Sequence, residues 1–125
     1  MPFLMLVLNK FSAHIVNVFH LNQIIMKKVN KITCENGGGF AQKFKVVWKE
    51  GNSGWSGTYP NPQSETIELK NLNIQPGEEV WIKVSAILGK TKESSDHVAY
   101  DPNCDDGALY KTTGATLTYK IKLMN

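Results

Sequence analysis

Three histidines, two cysteines and an Asp-Asn run near residue 104 are the residues of this chain with the most reactive chemistry. Two histidines, His14 and His20, fall in the first 25 residues, and His97 stands alone without metal-ligand spacing. His97 therefore reads as an ordinary strand or loop residue. Cys34 and Cys104 are too few and too far apart for a zinc site, and no CxxC is present. They can close one long loop or remain two buried thiols. Without a clear export signal, free thiols are expected. Pairing Cys34 with His97 as nucleophile and base would require a positioned base and oxyanion donors, and the sequence shows neither. GxSxG and HExxH are both absent from the sequence. In DPNCDDG, Asp101, Asn103 and Asp105 have the spacing of the first three ligands of an EF-hand loop. The sixth position is Asp106 where glycine belongs, and the twelfth is Thr112 where a bidentate glutamate belongs. The run reads as a turn. Gly37-Gly38-Gly39 is no phosphate cradle, because a strand pattern follows it and not a helix. The expectation is a protein that is not an enzyme and that needs no metal or cofactor.

The elements that must position any site are strands. Phe40–Lys49 alternates cleanly, with Phe40, Gln42, Phe44, Val46 and Trp48 on one face and Ala41, Lys43, Lys45, Val47 and Lys49 on the other. Val80–Leu88 does the same, with Val80, Ile82, Val84, Ala86 and Leu88 inward. In Ala115–Leu123, Leu117, Tyr119, Ile121 and Leu123 share the apolar face. Shorter strands are expected at Val29–Cys34, Ser64–Leu69 and His97–Tyr100. Glu35–Gly39 is expected to be a turn that draws on glycine's positive φ. Pro76-Gly77 fits a type II turn. Glu50–Gly57, which contains Trp55, and Gly89–Asp96 read as loops, the latter polar and exposed. Pro60 and Pro62 keep Thr58–Gln63 out of a sheet interior. No helix is expected after Val29. The fold class is all-β: a single-domain antiparallel β-sandwich of about 6–8 strands.

The bulk properties agree. A chain of 125 residues, 42% apolar and 20% charged, suits one globular domain. A net charge of +3 lacks the dense basic stripe of a nucleic-acid binder. Residues 1–25 differ from the rest. Their apolar run Phe3–Leu8 is too short to span a membrane, and the one early lysine, Lys10, follows it where a signal peptide would have it precede. A poor export signal, a packing arm and residues upstream of the natural start all remain open. Met26-Lys27-Lys28 resembles a bacterial opening, so the working domain is expected at residues 26–125. The chain would be secreted if residues 1–25 direct export, and cytoplasmic if it starts at Met26.

Four stretches, in order, resemble the C-terminal β-sandwich domain of the thiol-activated, cholesterol-dependent cytolysins. They are GGGFAQKFKVVWKEG (37–51), GWSGTYPNPQSETIEL (54–69), EEVWIKVSAILGKT (78–91) and GATLTYKI (114–121). The resemblance implies a domain that binds cholesterol-rich membranes through loops at one end, with a Thr-Leu pair making the sterol contact. That pair falls on Thr116-Leu117. The family's Trp-rich, Cys-containing loop has no counterpart. SAILGKTKESSDHVAY holds its place without tryptophan or cysteine, which weakens the expectation of strong interfacial anchoring.

These readings converge on a non-catalytic binding module that engages a membrane lipid or sterol, or a glycan, through loops at one end. The candidate ligand-binding residues are Trp55, Lys90, Thr91, Thr116 and Leu117. Core packing competes at two of them, because tryptophan usually finds cover and Leu117 lies on an apolar strand face. The alternative is a structural or protein-interaction sandwich that uses its lysine-rich face or a sheet edge.

Overall fold

The structure, a computed structural model, describes residues 26–125. The segment 1–25, with His14 and His20, lies outside the described residues. Among the described residues there are ten strands: β1 (Lys28–Val29), β2 (Lys31–Gly38), β3 (Gln42–Trp48), β4 (Gly51–Asn52), β5 (Ser64–Glu68), β6 (Glu79–Ala86), β7 (Thr91–Glu93), β8 (Val98–Tyr100), β9 (Gly107–Gly114) and β10 (Lys120–Leu123). They form two sheets. The first runs β1-β8-β6-β3-β4, with β7 also on β6, and the second runs β10-β9-β2-β5.

The two strongest alternating segments pair with each other. β3 and β6 are antiparallel from Gln42↔Ala86 to Trp48↔Val80, so their apolar faces coincide. Phe44, Val46, Val80, Ile82 and Val84 are fully buried there and face Ile32, Cys34, Ala108 and Tyr110 of the second sheet. Each large side chain so covered stabilises the fold by about 1.5–3 kcal/mol. Pro76-Gly77 forms the expected turn, with Gly77 at φ 87° and Glu78 N donating to Gln75 O at 3.0 Å.

Four expectations change. The sandwich is mixed, not purely antiparallel: β1 runs parallel to β8, and β2 runs parallel to β9 from Lys31↔Gly107 to Gly38↔Gly114. Period-two alternation is the same for either direction, so the pattern cannot distinguish them. Glu35–Gly38 is strand, not turn. None of Gly37–Gly39 has positive φ; among the described residues, those with positive φ are Gly54, Gly77, Gly114 and Leu88. What requires glycine at 37 is space, because a Cβ would meet Thr112 O at 2.8 Å. Gly89–Asp96 contains β7 and a buried Ser94, whose Oγ accepts from Ile82 N at 3.1 Å.

The fourth change matters most for function. β6 stops at Ala86, and Leu88 sits in a turn with φ 59°, wholly exposed. The last strand begins at Lys120, not Ala115. Gly114, at φ 120°, breaks the backbone, and Thr118 N closes a turn onto Ala115 O at 3.0 Å. Leu117 rides on that turn and is exposed, while Tyr119 is fully buried and Ile121 and Leu123 pack against the core. Alternation therefore held for three of the four apolar residues and failed at Leu117, the one carried on the turn.

Candidate functional site

The turn after β6 and the turn after β9 belong to different sheets, yet they interlock at one end of the sandwich. Lys90 N donates to Thr116 O at 3.0 Å. The approach is so close that a Cβ on Gly89 would stand 2.6 Å from the same oxygen. Glycine at 89 is thus a condition for the two turns to meet. Tyr119 braces the junction from below. Its hydroxyl donates to Lys90 O at 2.7 Å and lies 3.0 Å from Val84 O. Its ring lies 5.0 Å from that of Phe40, between centroids. Burial pushes the Tyr119 phenol above its ordinary pKa, which keeps it a proton donor. Lys92 Nζ closes the arrangement by donating to Tyr119 O at 2.8 Å.

This braced platform presents apolar side chains to solvent. Leu88 is 98% exposed, Leu117 60% and Ile87 39%. The four chain segments that turn at this end (38–41, 60–63, 87–90 and 115–118) contain no carboxylate, and Lys90 is their one charged residue. The opposite end differs. Glu50, Glu68, Glu78, Glu79, Asp101, Asp105 and Asp106 lie there, seven of the chain's 11 carboxylates.

Of the residues predicted from sequence, Thr116, Leu117 and Lys90 come together at the apolar end. Thr91 is the first residue of β7 and is bound sideways, its Oγ1 donating to Ser85 Oγ at 3.2 Å. Trp55 is elsewhere. It lies on the outer face of β3, 39% exposed, with the ammonium groups of Lys43 and Lys45 at 4.9 and 4.5 Å from its ring. Sequence reasoning put Ile87 on the outer face of its strand without naming it as a site residue, and it assigned Leu88 to the core. The one local signal was Leu88-Gly89 followed by a lysine, where the apolar run ends.

The other reactive residues are occupied structurally. Cys34 and Cys104 are free thiols. Cys34 is buried, and burial pushes its thiol up to about 11, the wrong direction for a nucleophile. Around it Gln42 Nε2 donates to Tyr59 Oη at 2.8 Å and to Cys34 Sγ at 3.5 Å, Tyr59 Oη donates to Cys34 O at 2.8 Å, and Thr112 Oγ1 donates to Gln42 Oε1 at 2.6 Å. His97 faces outward, 2.6 Å from Glu79 and stacked on Trp81. In the 101–106 loop, Asp101 accepts from Asn103 N at 2.9 Å and Asp106 pairs with Lys27 at 2.8 Å. Thr112, the would-be twelfth ligand, is buried in β9.

No protein-family model matches the chain, and no curated protein matches it. Solved structures that resemble it include cholesterol-dependent cytolysins. A non-haemolytic pneumolysin from Streptococcus pneumoniae is 11% identical, with a TM-score of 0.44, over 76% of this chain and 23% of that one. Listeriolysin O is 15% identical, with a TM-score of 0.44, over 76% and 22%. A disulfide-locked intermedilysin mutant, solved with human CD59, is 19% identical, with a TM-score of 0.42, over 76% and 24%. The chain spans less than a quarter of the length of each of these proteins.

Proposed function

We propose that this domain is a non-catalytic module that attaches to membrane lipid, sterol included, through the end where the 87–90 and 115–118 turns meet. One observation carries the reading: Leu88, Leu117 and Ile87 stand exposed on a rigid, carboxylate-free platform. Moving two leucines from water into an apolar phase is worth about 3–6 kcal/mol, the range in which attachment to a bilayer is reversible. The absence of carboxylates removes the main repulsion from an anionic surface. Thr116-Leu117 supplies a hydroxyl beside an apolar side chain, which suits a sterol's polar head and ring system.

The test is co-sedimentation with phosphatidylcholine vesicles, with and without cholesterol, of the parent chain and of Thr116→Gly with Leu117→Gly. Pelleting of the parent, lost in the variant at unchanged melting temperature, is the expected result. Failure of the folded parent to pellet with either vesicle overturns the reading.

A further inference from the structure

We infer that the outer face of the β3–β6 pair, beside the apolar end, is a binding site for the headgroups of anionic phospholipids, with Trp55, Lys43, Lys45 and Lys83 as its contact residues. The inference rests on the membrane reading above and names the lipid class. Lys45 and Lys83 are direct cross-strand partners, and like charges placed so are mutually destabilising. Lys43 is on the same face of β3, two residues from Lys45. Among the described residues, none of the three has a carboxylate within ion-pair distance. Glu93 lies across from Lys83 on β7, but its Oε1 accepts from Trp81 Nε1 at 2.7 Å. The cluster thus has excess positive charge, which a phosphate or carboxylate between the ammonium groups would relieve.

Depth fits as well. Lys43 pairs with Ser85, three residues before Leu88, so at the rise of a strand it stands about 10 Å behind the tip. With Leu88 and Leu117 in the acyl boundary, Lys43 and Trp55 fall at headgroup level, the layer tryptophan favours. The tip then supplies apolar contact and the sheet face supplies charge. The domain would lean onto the membrane on its first sheet.

The experiment uses the full chain with vesicles of phosphatidylcholine alone, with cholesterol, and with phosphatidylserine, at low and high salt. The expected result is stronger pelleting on phosphatidylserine that fades with salt. Lys43→Gln with Lys45→Gln should lower it roughly tenfold, with no fall in the melting temperature and any cholesterol-dependent binding unchanged. Trp55→Phe should weaken it less. Equal pelleting on phosphatidylcholine and phosphatidylserine, or full retention by the double variant, overturns the inference. Cholesterol-dependent binding that persists in those cases leaves the membrane reading standing. Tight binding to heparin without any phosphatidylserine dependence would overturn the inference by assigning the face to a polyanionic glycan.

Discussion

At one end of the sandwich, turns from both sheets converge on Tyr119 and hold Leu88 and Leu117 out in water. At the other end the turns and strand ends carry Glu78, Glu79, Asp101, Asp105 and Asp106, with lysines among them, and Lys27 pairs with Asp106. Both ends close the same strands, so the fold does not require the contrast. The acidic end is what solubility favours. The apolar end exposes side chains that a core would otherwise cover, and it holds Leu88 in a backbone conformation that costs an L-residue about 1–2 kcal/mol. Strain and exposed apolar surface coincide at this one spot, and that coincidence is why the proposed attachment is assigned to this end.

The contrast is most directly broken by charging the apolar end. Leu88→Asp with Leu117→Asp should reduce vesicle binding more than about tenfold, from the apolar transfer lost. Thermal melting should barely move, because both side chains are exposed. Glu78→Gln with Asp105→Asn at the far end is the control and should leave binding intact. Equal loss from both pairs would abolish the distinction between the ends.

The buried hydrogen-bond network around Gln42 should be costly to break. Gln42→Leu leaves the Tyr59 and Thr112 hydroxyls short of a buried partner. Urea unfolding should show a loss of about 1–3 kcal/mol. An unchanged midpoint would mean the network is dispensable.

A smaller effect separates stability from function at a single residue. Leu88→Gly relieves the left-handed backbone, so stability should rise by about 1 kcal/mol while vesicle binding falls. A drop in both would mean that Leu88 packs in solution.

The smallest effect belongs to the acidic end. The Lys27 hydrogen bond, then the Gly107 N–H and the charge of Lys27, hold the Asp106 carboxyl below its ordinary pKa. Because the folded value is depressed, this contribution is present at neutral pH and is lost as pH falls through the folded pKa. Asp106→Asn should therefore melt slightly lower than the parent at pH 7, and the difference should vanish in acid. A gap that widened in acid would contradict the pairing.

Much of the frame was legible beforehand. In β3, Phe44, Val46 and Trp48 are buried, and Lys43 and Lys45 are not, nor is Lys49 just after it. Period-two alternation reports which face is apolar, and burial follows that directly. Gln42 follows the same alternation into the core, where hydrogen bonds make a polar side chain tolerable. The candidate site was half legible. Thr116, Leu117 and Lys90 were named from the sequence, with Leu117 also weighed as core, and they lie together at the apolar end. Leu88 was misplaced because alternation does not reveal where a strand ends. Trp55 was found as an aromatic but not as the cover of two lysines.

By itself, then, the sequence determined the strand faces, the apolar core and the Pro76-Gly77 turn, because these depend on neighbours a few residues apart. The tertiary structure decided the parallel pairing of β2 with β9 and the lysine cluster shared by β3 and β6. It also decided the meeting of the 87–90 and 115–118 turns. Those features join segments far apart in the chain, and their register is set by how two whole sheets pack, which no local pattern records.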